Sequence, residues 1–108
     1  MFNLFGLGVK SEFDLDGTEF KSKYTSTKGA VLIDVRTPGE VASGTINGSL
    51  NINYNSSQFN TEIANLDKNK TYFLFCRSGA RSGAACKMMA KMGYTAYNLD
   101  NGIGAWPR

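Results

Sequence analysis

Residues 71–82 read TYFLFCRSGARS, an apolar run that ends in Cys76 and is followed by Arg77, Ser78, Gly79, Ala80, Arg81 and Ser82. An inert cysteine has no use for two guanidinium groups so close in sequence. A thiolate does: neighbouring positive charge and the N–H groups at a helix start lower a thiol's pKa and leave a nucleophile near neutral pH. Gly79 and Ala80 lack bulky side chains, so a ligand can come close to their backbone. Successive N–H groups in such a turn form a nest for an anion, or for negative charge on the sulfur itself. Ser78 and Ser82 add hydroxyl donors. Arg77 and Arg81 either bind an incoming anion or tune Cys76, and the sequence does not separate the two roles.

Cys86, among Ala and Met in the following segment, reads as a small buried hydrophobe. With both thiols on one strand–helix unit, a Cys76–Cys86 bridge is geometrically awkward. Two cysteines make neither a disulfide framework nor a zinc site. The chain has no histidine, which excludes a Cys–His or Ser–His couple and any His-ligated metal. Both thiols therefore point to a reducing compartment, the cytoplasm, with export left open because a leader could precede this chain.

The elements that position Cys76 alternate as in an α/β domain. AVLIDV (30–35) and TYFLFC (71–76) are near-continuous apolar runs suited to strands buried on both faces. LNINY (50–54) and TAYNL (95–99) read as further strands, and SEFDLD (11–16) as an edge strand. Asp16 with Glu19 forms a capping box that opens a helix near 17–24. Thr37-Pro38-Gly39-Glu40 opens another, with Pro38 at the first helical position and Glu40 reaching back. Ser56 or Ser57 is predicted to cap a helix carrying Phe59, Ile63 and Leu66. Ala85, Met88, Met89 and Met92 share one face of a last helix that Gly93 ends. Residues 77–82 are then a tight strand-to-helix turn. Ligands of parallel α/β sheets bind at such carboxyl ends of strands.

The 108 residues suffice for one core, and 42% hydrophobic with 19% charged residues is an ordinary globular balance. A net charge of +3 without a Lys/Arg block argues against nucleic acid and agrees with a small anion. No run approaches the length of a membrane span. Residues 1–10 are expected to be a leading segment or docking arm through Phe2, Leu4 and Phe5, and 11–108 the domain.

LIDVRTPGEVASGTINGSLNINY (32–54), FCRSGARS (75–82) and NGIGAW (101–106) resemble, in order and spacing, the single-domain rhodaneses, a sulfurtransferase family; the likeness runs from about residue 11 to the C-terminus. It implies a three-layer α/β/α fold around a central, mainly parallel sheet of about five strands. It also implies a persulfide on Cys76, taken from a donor such as thiosulfate and passed to cyanide or a thiol, or to a sulfur-acceptor protein. Residues 76 to 81 correspond to the family's active loop, and no cofactor or metal is implied. Asp34 and Arg36 match the family's DVR at the mouth of the site, where they either brace the loops or touch substrate. Trp106 matches a packing residue. Two positions depart from the family: Gly44-Thr45-Ile46 stands where GHI is common, and Asn101-Gly102 where two glycines are common.

Two other functions share these residues. A persulfide carrier or protein-interaction module would keep the same loop. A phosphatase of this fold would need its arginine one position later than Arg81, on a longer loop that surrounds a phosphoryl group.

Overall fold

A computed structural model describes residues 11–108; the leading segment with Phe2, Leu4 and Phe5 lies outside the described residues. Five strands, β1 (Asp14–Leu15), β2 (Ala30–Asp34), β3 (Leu50–Asn51), β4 (Thr71–Phe75) and β5 (Thr95–Leu99), form one sheet in the order β1-β5-β4-β2-β3. Every pairing in it is parallel. The helices α1 (Gly17–Ser26), α2 (Pro38–Ala42), α3 (Phe59–Ala64) and α4 (Ala80–Lys91) connect the strands, and a 3-10 turn (Ile103–Ala105) follows β5.

The two-residue period of the strands divides the core into two layers. Ile33, Tyr72, Leu74, Cys76 and Ala96 face one side, where α3 contributes Phe59 and Ile63 and α4 contributes Ala85, Cys86 and Met89. Leu32, Phe73, Phe75 and Leu99 face the other, against Phe20 of α1 and the half-buried Trp106. Phe20 meets Phe73 and Trp106 edge to face, with ring centroids 5.5 and 6.2 Å apart. Trp106 is thus a packing residue, as its place in the sequence suggests. The alternation also decides where the thiol goes: as the next residue on the Tyr72–Leu74 face, Cys76 is turned toward α4.

Both predicted capping boxes are present. Asp16 Oδ1 accepts from the Glu19 N–H at 2.9 Å, and Thr37 Oγ1 from the Glu40 N–H at 3.3 Å. The chain after Met92 turns at Gly93 with φ +93°, a left-handed position that favours glycine.

Four expectations need correction. Neither Ser56 nor Ser57 caps α3: its N-cap is Gln58, with no side-chain bond, and Ser56 Oγ accepts instead from the Gln58 N–H at 3.0 Å. A local serine turn has won over the helix cap. The strand at 50–54 is only Leu50–Asn51, although the Ile52 and Tyr54 N–H groups beyond it still donate to the Asp34 and Val35 carbonyls, at 3.0 and 2.9 Å. The edge strand shrinks from 11–16 to Asp14–Leu15, since Asp14 Oδ2 and the Ser11 carbonyl close a turn at its start. Helix α4 begins at Ala80, so the turn after Cys76 spans only 77–79, and Arg81 and Ser82 lie in the helix's first turn.

Candidate active site

Cys76 is the first residue beyond β4 and has no exposed surface. Gly79, the N-cap of α4, takes a left-handed conformation at φ +97°. That bend turns the chain back over the thiol. The Gly79 N–H donates to Cys76 Sγ at 3.1 Å, and Ser82 donates twice, from its N–H at 3.5 Å and its hydroxyl at 3.3 Å. Burial pushes the thiol's pKa up. The Ser82 hydroxyl and the backbone N–H groups of Ser82, Gly79 and Ser78 push it down, and together they win, so it lies below the ordinary cysteine value. The positive end of α4 acts in the same direction. Cys86 lies on the same core face, and there burial, with the negative charges of Asp14 and Cys76, pushes its thiol up. One cysteine is held toward thiolate and the other toward thiol.

The two arginines of the loop part company. Arg77 and Ser78 are exposed at the rim, and so is Ala80. Arg81 makes a two-pronged ion pair with Glu40 of α2, at 2.8 and 3.0 Å. The Arg81 hydrogen bonds, with those from Thr37, hold the Glu40 carboxyl down to about 2. Glu40 thereby joins the start of α2 to the first turn of α4. Sequence reasoning saw Glu40 only as a helix cap, and nothing local signals its partner 41 residues away.

Asp34 and Arg36 form a second pair, this one buried. Arg36 Nε donates to both Asp34 oxygens at 3.0 and 3.2 Å, and Nη2 to Oδ2 at 2.8 Å. Nη2 also donates to the Gly44 carbonyl at 2.7 Å, and the Thr45 hydroxyl to Asp34 Oδ2 at the same distance. The hydrogen bond to Asp34 raises the Arg36 pKa above its ordinary value. Asn51 Nδ2 ties the Asp34 and Arg36 carbonyls from β3, at 2.9 Å each. The pair thus braces the turn between β2 and α2 against the 44–45 loop. Thr45, one of the departures from the family pattern, is itself a member of the brace.

The C-terminal segment closes the site from the other side. The Ile103 N–H donates to the Cys76 carbonyl at 2.8 Å. Gly102 has φ +79°, and a Cβ there would overlap the Arg77 carbonyl. The other departure therefore keeps the one glycine, Gly102, that the Cys loop requires. Sequence reasoning missed Asn98, whose Nδ2 donates to Asp14 Oδ1 at 2.8 Å and to the Gly79 carbonyl at 3.2 Å. A polar residue at an inward position of β5 was the available signal.

Among the described residues no group of three or more His, Cys, Asp or Glu side chains is placed to hold a metal, and no helix is long and apolar enough to cross a membrane. A carboxylate pair for acid–base work is likewise not what converges here. The chemistry on offer is a hydrogen-bonded, depressed thiol at a helix N-terminus.

Known proteins are similar to this chain in sequence and in fold. The rhodanese-like domain family model matches residues 17–108. A sulfurtransferase of Allochromatium vinosum is 32% identical over 96 residues, covering 88% of each chain. The thiosulfate sulfurtransferase PspE of Escherichia coli is 35% identical over 71 residues, 66% of this chain and 68% of that one. The crystal structure of a rhodanese-like domain protein from Staphylococcus aureus superposes with a TM-score of 0.75 at 28% identity, covering 87% of this chain and 90% of that one. The parallel five-stranded sheet, the Cys loop at its carboxyl edge and these relatives together make the chain a member of the rhodanese-like domain family of sulfurtransferases.

Proposed function

We propose that the protein moves a sulfane sulfur from thiosulfate to a thiophilic acceptor through a persulfide on Cys76. The observation that carries this reading is the convergence of the Gly79 N–H and both Ser82 donors on Sγ. The Cys76 thiolate attacks the outer sulfur of thiosulfate, the S–S bond breaks, and sulfite leaves with the bonding pair. The outer persulfide sulfur then carries the negative charge within reach of the loop's N–H groups. Cyanide or a thiolate attacks that sulfur, forming thiocyanate or a new persulfide, and the Cys76 thiolate is released. Protons balance at the acceptor thiol and solvent, and no cofactor is required.

Arg77, exposed at the rim, supplies the positive charge that draws a dianionic donor. Arg81 acts through Glu40 as a positioning residue and a charge near the thiol, and Asp34 and Arg36 hold the neighbouring turn. Because Cys76 has no exposed surface, a donor reaches Sγ only when the loop shifts. A phosphatase reading is disfavoured because a phosphoryl group needs a guanidinium over the loop, whereas Arg81 is held by Glu40. Two free thiols fit a reducing compartment, the cytoplasm; a thiol-bearing small molecule or sulfur-acceptor protein is the partner there.

The test is intact mass after incubation with thiosulfate, followed by dithiothreitol. A gain of one sulfur, absent in Cys76→Ser, kept in Cys86→Ser and removed by the reductant, is the expected result. Reduced, folded protein that gains nothing, or gains equally in Cys76→Ser, would overturn the reading.

A further inference from the structure

Asn98 lies on β5 in register with Asp14 of the edge strand β1 and is only 3% exposed. It shares the inward face of the strand with Ala96, a position where an apolar side chain would be ordinary. Its Oδ1 is buried with no hydrogen-bond partner among the described residues. A buried acceptor left without a partner is destabilising. A side chain that carries this cost needs a compensating use, and the use is on its other atom.

Nδ2 donates to Asp14 Oδ1 at 2.8 Å and to the Gly79 carbonyl at 3.2 Å. Both partners are pure acceptors, so the carboxamide has one workable orientation, and the orphan oxygen follows from it. The far end of the tether is anchored too, since Asp14 Oδ2 accepts from the Ser11 N–H at 2.9 Å. At the near end, Gly79 holds φ +97° and aims its N–H at Cys76 Sγ from 3.1 Å. Room for the carboxamide comes from Gly83, where a Cβ would stand 3.3 Å from Nδ2. Neither aspartate nor leucine at position 98 could make this contact, because neither has a donor.

We propose that Asn98 is a positioning residue for Cys76: it ties the Gly79 carbonyl to Asp14 of the edge strand and so holds the Gly79 N–H on the sulfur. The edge strand, remote from the site in sequence, is thereby part of what favours the Cys76 thiolate. The inference extends the Cys76 reading above, yet its test does not depend on sulfur transfer.

The experiment is the pH dependence of iodoacetamide alkylation at Cys76, followed by mass mapping in the full chain, alongside urea unfolding. In Asn98→Ala the alkylation midpoint moves up, and the rate at neutral pH falls roughly three- to tenfold. Stability changes little, because the orphan oxygen leaves with the hydrogen bonds. Should Asn98→Ala fail to fold, Gly83→Ala decides: its methyl presses on Nδ2 while adding helix propensity, so the midpoint rises without loss of stability. A folded Asn98→Ala, or Gly83→Ala in its place, that titrates as the wild type overturns the proposal. A shifted midpoint in a protein that takes no sulfur from thiosulfate leaves Asn98 its role and brings down only the sulfurtransferase reading.

Discussion

The Ser82 hydroxyl stands 3.3 Å from Cys76 Sγ, and both residues are fully buried. Of the hydrogen bonds that lower the Cys76 pKa, this one is the largest. The side chain that most favours the thiolate is therefore a neutral serine inside α4, not a neighbouring arginine.

Ser82→Ala is expected to raise the Cys76 midpoint while keeping the fold, since the change removes one hydroxyl and leaves the Ser82 N–H in place. Alkylation and thiosulfate turnover at neutral pH should both fall about three- to tenfold. The sign follows from the depressed thiol: thiolate is present at pH values below the ordinary cysteine midpoint and is lost as pH falls through the folded one. A pH–rate profile of Ser82→Ala coincident with the wild type would remove the hydroxyl from the mechanism.

Arg81 and Glu40 are expected to act as one unit. Arg81→Ala and Glu40→Gln should each slow turnover by a similar factor, roughly two- to tenfold, and the double substitution should add little. Steady-state kinetics on the three variants decides this. A loss in Arg81→Ala far beyond that in Glu40→Gln would mean that the guanidinium leaves Glu40 to touch the donor.

The same pair sets an acid dependence. Glu40 is held down to about 2 in the folded chain, below an ordinary carboxylate. Its contribution to stability is full above the unfolded value and is lost as pH falls from there through about 2. The Tm difference between wild type and Glu40→Gln should be present at neutral pH and shrink toward zero near the bottom of that window. A difference independent of pH would mean that the Glu40 charge contributes nothing to stability, through either Arg81 or the Thr37 cap. Added salt should also reduce it, because the pair is partly exposed.

Breaking the buried brace has a different scale. Asp34→Ala leaves the Arg36 guanidinium buried without its carboxylate, a loss of about 3–5 kcal/mol. Thr45→Val removes one hydroxyl donor to Asp34 and should cost about 1 kcal/mol. Urea unfolding at neutral pH measures both, and equal effects would contradict the hydrogen-bond network.

Gly102→Ala combines an unfavourable positive φ with overlap on the Arg77 carbonyl. A loss of about 2 kcal/mol or more is expected, together with a raised alkylation midpoint at Cys76 as the loop's N–H donors move off the sulfur. Gly104→Ala, where an added methyl meets nothing within 4 Å among the described residues, is the control and should leave both unchanged.

The Cys loop and most of the sheet were legible because their causes are local. Apolar runs, two capping boxes and a glycine after the last helix name their elements without reference to the rest of the chain. The alternation within TYFLFC already turns Cys76 to the same face as Tyr72 and Leu74. The α3 cap differs from the sequence expectation because the Ser56 hydroxyl accepts from the Gln58 N–H, and the helix starts beyond it with Phe59 and Ile63 buried.

The sequence by itself determined the candidate thiol and the elements that carry it, since a cysteine, small residues and a helix start are written consecutively. It could not determine what each polar group faces. Arg81 reaches Glu40, Thr45 reaches Asp34 and Asn98 reaches Gly79 across separations of 41, 11 and 19 residues. Those partners meet only when parallel strands bring the β2, β4 and β5 ends to one edge of the sheet. Tertiary structure decided these roles because a hydrogen bond depends on distance and direction in space, which no local pattern encodes.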